Sequence, residues 1–222
     1  MKLILHHTYD RSGGMSALEN LRWLSLSGAD ALICRVRRSR DNVLLIHEDT
    51  TMARLCLCEE RIDELRFCEI DALMRLGGYR VLTLDELLDG YRERTLLILH
   101  FRSFRPSATV ISRFIGDERF SFATDSVEQL RAFTEGFPGR RTVGFSCHLP
   151  NADAMQKAGA DAVCLYGRTL GEYDPAAVRA LGQAGEIWLE PDGDPIPDLD
   201  TVYAEAQRLS ASGAVLRPDA IR

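Results

Sequence analysis

The sequence alternates short apolar runs with stretches of helical periodicity over almost its whole length. Runs such as Lys2–His6, Ala31–Val36 and Thr95–Phe101 are rich in leucine and β-branched residues, as buried strands are. Alternation of this kind predicts a parallel sheet with right-handed crossovers. About nine strand candidates are present, including Val43–Ile46, and eight would close a (β/α)8 barrel. An open doubly wound sheet is the alternative.

Helix boundaries support the same alternation. Ser16 with Glu19, and Thr83 with Glu86, have the spacing of a capping box at the start of a helix. Gly28 follows the first helical stretch, where glycine commonly ends a helix. We therefore predict one barrel domain over residues 1–222, in which residues from about 49 to 80 form an insertion-like segment after the third predicted strand.

Composition excludes several classes of function. The net charge is −6 and no basic face stands out, so nucleic acid is not an expected partner. No apolar run reaches the roughly 18 residues of a membrane span, so none is expected. The six cysteines lack disulfide or zinc spacing, which favours reduced, buried thiols in a cytoplasmic protein. No glycine-rich phosphate loop follows a strand, so nucleotide binding has no support.

Charged and imidazole side chains follow several of the predicted strands. His6 and His7 end the first run, Arg35 lies near the end of the second, and His47 and Glu48 follow the third. In an α/β barrel the carboxyl ends of the strands face the active-site mouth. We therefore expect the chemistry of this protein at these positions.

These residues also carry a family resemblance. Residues 28–36 read GADALICRV and residues 48–54 read EDTTMAR. They resemble the glycerophosphodiester phosphodiesterase family, whose second strand reads G-A-D-x-I-E-L-D-V and whose third ends H-D-x-T-L-x-R-T. The similarity covers nearly the whole chain: residues 2–7 resemble I-A-H-R-G, residues 19–20 the E-N of P-E-N-T, residues 82–88 I-P-T-L-E-E-V-L and residues 97–102 L-N-I-E-I-K.

The resemblance implies a phosphodiesterase barrel with an altered centre. In the family, three carboxylates hold a divalent cation, and two histidines act as acid and base on a glycerol-linked phosphodiester. Here the carboxylate positions fall on Ile33, Arg35 and His100, and the family's lysine falls on Arg102. His6 matches one catalytic histidine, and His7 stands where the family has arginine.

The second catalytic histidine can be assigned in two ways. Counting from Asp41, or backwards from Arg54, puts Glu48 at that position and His47 one residue earlier. A single deletion would put His47 there instead. The difference matters because a shift of one residue in a strand turns the side chain to the other face. Both counts favour Glu48.

One interpretation is an active phosphodiesterase that needs no metal or other cofactor. Arg35 and Arg102 would bind the phosphate, His6 would act as base, and His47 or Glu48 would act as acid. Bacterial phosphatidylinositol phospholipases C look similar in using an arginine instead of a metal. His7 and Glu19 are further candidates for binding the small phosphodiester substrate, although Glu19 can equally serve only as a helix cap. In the structural alternative, Arg35 is a buried arginine paired with Glu48.

Two other interpretations remain open. The protein can be a pseudoenzyme that binds phosphate or glycerophosphate, or serves in assembly, because several metal ligands are lost at one site. Alternatively, His6, His47 and His100 can form a rebuilt site for a divalent metal such as zinc. Against that metal site, barrel rims collect histidines in any case, and no tight ligand spacing is present.

The turn after the second strand is basic. Arg37, Arg38 and Arg40 lie close together in sequence. The cluster can be a rim that recruits phosphate or a solvated turn.

Overall fold

Twelve strands are present in the part of the chain that the structure, a computed structural model, describes: residues 1–9, 16–102, 104–167, 170–191 and 198–217. They are β1 (Lys2–His6), β2 (Ala31–Arg38), β3 (Leu44–Ile46), β4 (Thr51–Met52), β5 (Cys58–Arg61), β6 (Leu82–Thr83), β7 (Leu96–Phe101), β8 (Phe120–Thr124), β9 (Thr142–Ser146), β10 (Ala162–Gly167), β11 (Glu186–Pro191) and β12 (Gly213–Leu216). The α-helices are α1 (Ala17–Leu26), α2 (Ala53–Cys56), α3 (Phe67–Leu76), α4 (Leu84–Gly90), α5 (Ala108–Ser112), α6 (Val127–Gly136), α7 (Leu149–Lys157), α8 (Pro175–Leu181) and α9 (Leu199–Arg208).

Eight of these strands form a closed parallel barrel. The pairing runs β1–β2–β7–β8–β9–β10–β11–β12, and β12 pairs back to β1. All eight neighbouring pairs are parallel. The prediction of a (β/α)8 barrel is confirmed.

The third predicted strand is not part of the barrel. β3 runs antiparallel to the end of β2, with Ile46 opposite Val36 and Leu44 opposite Arg38. A tight turn causes this, because the amide of Ser39 donates to the carbonyl of Val43 at 2.9 Å. So short a connection can join antiparallel strands only, since a parallel neighbour needs a crossover of about a dozen residues. The prediction of a barrel strand at Val43–Ile46 is wrong, and β7 takes that place.

The segment between β3 and β7 lies beside the mouth of the barrel. β4 and β5 form a separate two-stranded antiparallel sheet, and β6 pairs with the outer edge of β3. In α3, Ile70 and Met74 are fully buried and join the apolar layer outside the barrel. Most of this segment is the stretch from about 49 to 80 that was expected to be insertion-like.

The predicted helix caps are present. Ser16 and Glu19 form a reciprocal capping box at the start of α1, and Thr83 and Glu86 form another at α4. Gly28 has a φ of +84°, a left-handed conformation that glycine adopts without steric cost. These signals fix where each helix meets its neighbouring strand. None of the helices within the described ranges is long and apolar enough to cross a membrane.

Side chains alternate between two apolar layers along each barrel strand. The interior is filled by one cluster: Ile4, Ala31, Ile33, Ile98, Ala123, Val143, Phe145, Ala162, Cys164, Trp188 and Val215. Residues of opposite parity, such as Leu5, Leu32 and Leu99, pack outward against the helices. Because strand side chains repeat every two residues, the position two beyond the last interior residue of each strand faces the mouth. The mouth is therefore built by residues that the strand pattern identifies directly.

Candidate active site

Polar residues occupy these mouth positions on most of the barrel strands. Each follows an interior apolar residue by two: His6 after Ile4, Arg35 after Ile33, His100 after Ile98, Asp125 after Ala123, Tyr166 after Cys164, Glu190 after Trp188 and Arg217 after Val215. The apolar interior thus ends in a ring of charged, imidazole and phenol groups. The sequence predicted three members of this ring, namely His6, Arg35 and His100.

Glu190 joins Arg35 and His6 at the centre of the mouth. Its Oε1 accepts a hydrogen bond from Nη2 of Arg35 at 3.0 Å and lies 2.9 Å from Nε2 of His6. The side chain of His6 is 1% exposed, that of Glu190 10% and that of Arg35 14%. One carboxylate oxygen therefore bridges a guanidinium and an imidazole with little water around them.

The charge of Glu190 is set by these two neighbours. Burial alone would raise the pKa of the carboxyl, but the interactions with His6 and with the guanidinium of Arg35 outweigh burial and hold the pKa well below its usual range. Glu190 is therefore ionised at neutral pH and fixes the orientation of both partners.

His100 is bonded to a second carboxylate beside the first. Its Nε2 bonds Oδ1 of Asp125, and its ring stacks on Phe145 with centroids 4.1 Å apart. Burial lowers the pKa of His100, while Asp125 opposes that shift. The other oxygen of Asp125 lies 3.0 Å from Nε of Arg102. His100 and Arg102 are thus tied together through one carboxylate.

His47 is held next to Arg35 by the main chain. Its amide donates to the carbonyl of Arg35 at 3.0 Å, and its Nδ1 lies 3.2 Å from the carbonyl of Asp49. The ring of Tyr9 lies between the rings of His47 and His7. Its centroid is 5.8 Å from that of His47 and 5.5 Å from that of His7. Burial lowers the pKa of His47 to about 4 and that of His7 to about 3. Both imidazoles are therefore neutral at pH 7.

Glu48 is buried, but both of its oxygens are engaged. Oε2 accepts from Nη2 of Arg54 at 3.2 Å, and Oε1 lies 3.4 Å from Nε of Arg217. The alternative in which Arg35 pairs with Glu48 is wrong. Arg35 binds Glu190, and Glu48 lies against Arg54 and Arg217.

Several buried polar atoms of this centre have no partner within the described part of the chain. They include Nδ1 of His6, Nε of Arg35, Nε2 of His47, Nε2 of His7 and Oε2 of Glu190. Buried polar groups are normally hydrogen-bonded, because an unsatisfied one costs about 1–3 kcal/mol. Their concentration at the mouth is typical of a site that a polar ligand completes.

Glu19 lies at the start of α1 and is exposed. Its Oε2 accepts from the amide of Ser16 at 2.9 Å and from the hydroxyl at 2.6 Å. The helix-capping role predicted for Glu19 is confirmed, and its contact with a substrate stays a prediction. The fifth histidine, His148, is also exposed and precedes α7.

Sequence reasoning missed Glu190 and the role of Asp125. Glu190 follows the apolar strand residues Ile187–Leu189, which is the same signal that identified His6. Asp125 follows β8 and bonds His100, while its neighbour Ser126 caps α6. Both are acidic residues at mouth positions, and the two-residue repeat of strand side chains identifies those positions.

The centre does not fit the divalent cation that the resemblance implies. Ile33 is fully buried in the apolar interior, Arg35 brings a positive charge, and His100 is bonded to Asp125. No three His, Cys, Asp or Glu side chains among the described residues are grouped so that they could hold a metal ion. The zinc alternative of His6, His47 and His100 therefore gains no support from the described residues.

Fold and mouth together define a (β/α)8-barrel protein with a buried polar cluster at the carboxyl ends of the strands, where barrels of this type have their active sites. No protein-family model matches the sequence, and no curated protein matches it either. The barrel is similar to a solved glycerophosphodiester phosphodiesterase from Agrobacterium tumefaciens at 20% identity, with a TM-score of 0.71 over 99% of this chain and 98% of that one.

Two further solved structures have the same architecture. A glycerophosphodiester phosphodiesterase from Parabacteroides distasonis is 17% identical, with a TM-score of 0.72 over 96% of this chain and 91% of that one. An Oleispira antarctica phosphodiesterase, solved with the product sn-glycerol-3-phosphate, is 13% identical, with a TM-score of 0.69 over 98% of this chain and 92% of that one. The chain therefore has the barrel fold of the glycerophosphodiester phosphodiesterases, as the sequence resemblance predicted.

Proposed function

We propose that this protein hydrolyses a small phosphodiester, glycerol-linked on one side, and uses a guanidinium where related barrels use a metal ion. The observation that carries the proposal is Arg35, held in the mouth between the imidazole of His6 and that of His100. A solved structure of the same fold contains sn-glycerol-3-phosphate as product, which supports this ligand class.

Arg35 suits a phosphate. Nη2 is used by Glu190, while Nε is buried and has no partner among the described residues. A guanidinium offers five donors in a planar fork that matches phosphate oxygens, and its charge does not depend on pH in the working range. In a site with little water, such fixed charge stabilises the negative charge that develops on the phosphoryl group.

Two imidazoles can move the protons. His6, oriented by Glu190, takes a proton from the attacking water as its oxygen bonds to phosphorus. His47 then protonates the alcohol oxygen as the bond between it and phosphorus breaks. His47 is neutral at pH 7 in the free protein, and the negative charge of a bound phosphodiester raises the pKa of this imidazole toward the protonated form that the step needs. Glu48 is not the acid in this scheme, because both of its oxygens bind arginines.

Turnover without metal tests this function. The purified protein is dialysed against a chelator and assayed with glycerophosphocholine and with glycerophosphoglycerol. We expect release of glycerol phosphate, and its loss in His6→Ala. If a well-folded protein hydrolyses neither substrate, the proposal is wrong.

A second candidate is phosphate binding without turnover. It is favoured by the charge balance of the centre, since the carboxylate of Glu190 already compensates the guanidinium of Arg35. Here sn-glycerol 3-phosphate would bind by calorimetry while no phosphodiester is cleaved. Turnover that disappears in His6→Ala would reject this candidate.

A further inference from the structure

A basic recess lies beside the mouth, between the end of β2 and the segment that follows His47. The volume of the cavity is about 50 Å³, and its lining includes four arginines together with Thr50, Asp63 and Phe104. The arginines are Arg37, Arg38, Arg61 and Arg102. Asp63 is the one acidic residue in this lining, so the recess carries a clear excess of positive charge.

The four guanidiniums are not equally compensated. Arg61 forms a two-pronged ion pair with Asp63 at 2.9 Å and 2.8 Å, and Arg102 pairs with Asp125. Arg38 lies over the ring of Phe104, 5.3 Å from its centroid, and has no carboxylate partner within the described residues.

Arg37 is the least expected of the four, because it is only 6% exposed. Its Nη2 donates to the carbonyl of Glu48 at 2.6 Å and its Nε to that of His47 at 3.3 Å, and neither bond neutralises its charge. Burial, followed by the charges of Arg35 and Arg102, lowers the pKa of Arg37 to about 10. A buried cation without an acidic partner is costly, and a bound anion relieves that cost.

Two arginines of the recess are bonded to groups of the proposed catalytic centre. Arg37 holds the carbonyl groups of His47 and Glu48, and Arg102 shares Asp125 with His100. A ligand whose scissile phosphate lies at Arg35 can therefore extend into the recess on the side of β2 and β7.

We propose that the recess is a second anion subsite that binds a phosphomonoester group carried on the substrate beyond the scissile phosphodiester. The substrates are then phosphodiesters that bear an additional terminal phosphate. A dianionic phosphate suits several arginines better than a carboxylate or a neutral head group does. This substrate class rests on the proposed function of the centre, whereas anion binding by the recess does not.

Binding is tested first, in a form that does not depend on catalysis. Pyrophosphate is titrated calorimetrically into Arg35→Met, which removes the cation of the centre, and into Arg35→Met combined with Arg38→Gln and Arg61→Gln. We expect the dissociation constant to rise about tenfold or more when the two recess arginines are lost. Arg75→Gln in the same background is the matched control, because Arg75 is an exposed arginine of α3 in a similar pair with Asp71.

Substrate preference is tested second, in the wild-type centre. We expect kcat/KM for a glycerophosphodiester with a terminal phosphate to exceed that of the same compound without it by about tenfold. Arg38→Gln with Arg61→Gln should bring the ratio of the two kcat/KM values close to one. Pyrophosphate binding that is unaffected by the recess substitutions overturns the subsite. If pyrophosphate binding depends on the recess arginines but the protein hydrolyses no phosphodiester, the subsite is supported and only the proposed function is rejected.

Discussion

In the mouth of the barrel, Nη2 of Arg35 lies 3.0 Å from Oε1 of Glu190. The two residues come from strands on different sides of the ring, β2 and β11, which do not pair with each other. A guanidinium and one carboxylate therefore define the charge of a position where the family resemblance implies three carboxylates and a cation.

Replacing Arg35 should remove most phosphodiesterase activity. We expect Arg35→Met to lower kcat/KM by about 10²–10³-fold, since it deletes the fixed charge opposite the phosphoryl oxygens. Arg35→Lys should recover only part of the activity, because an ammonium group keeps the charge but loses the planar fork. Steady-state kinetics on glycerophosphoglycerol measure both. Equal activity of the Met and Lys variants would contradict a role of the charge.

Glu190 should contribute to stability as well as to orientation. Glu190→Gln leaves the buried guanidinium of Arg35 without its carboxylate, and we expect the free energy of unfolding to fall by about 3 kcal/mol. Urea unfolding at pH 7 measures it. Asp71→Asn is the control: its pair with Arg75 is largely exposed on the arginine side, and such pairs contribute about 0.5 kcal/mol or less. Equal effects of the two substitutions would argue against the central ion pair.

Chelation should leave the activity unchanged. The mouth offers a guanidinium where a dication would lie, so removing metal ions with EDTA and adding Mg²⁺ or Ca²⁺ should each alter the rate by less than about twofold. Elemental analysis of the purified protein should find no stoichiometric zinc. If EDTA abolished the activity and one metal restored it, the proposed role of Arg35 in place of a metal ion would be wrong.

Stability should fall as the pH is lowered from 7 to 5. His7 and His47 have pKa values of about 3 and about 4 when folded, against 6.5 in the unfolded chain. Between those values the unfolded chain binds more protons, so acid favours unfolding, by roughly 2 kcal/mol per histidine at pH 5. Urea unfolding at both pH values measures the difference.

Two substitutions test this pH dependence. His47→Gln should reduce it by about half, because His7 still titrates. His148→Gln should leave it unchanged, because His148 is exposed. A slope that does not change in His47→Gln would exclude burial of that imidazole as the cause.

Most of the barrel could be predicted from local signals. Capping boxes at Ser16 and Thr83 and the apolar strand runs define elements without any long-range information. The run Val43–Ile46 is apolar enough to predict a barrel strand, but the connection before it is only a tight turn. The turn at Ser39 is too short for a parallel crossover, so connection length would have assigned a hairpin.

The candidate site was predictable one residue at a time but not in its pairings. His6, Arg35 and His100 follow from strand ends and a period of two. The partner of Arg35 does not, since Glu190 is 155 residues away in sequence and meets it only when the ring closes. Which acid pairs with which base is thus a property of the closed barrel.

The hydrogen bond between the amide of His47 and the carbonyl of Arg35 joins the hairpin to the barrel through backbone atoms alone. Side chains at both positions can consequently be exchanged while the spacing between them is preserved. In such a framework the backbone fixes the positions of the reacting groups and the side chains determine their chemistry. One set of charged side chains can therefore replace another while the backbone stays the same.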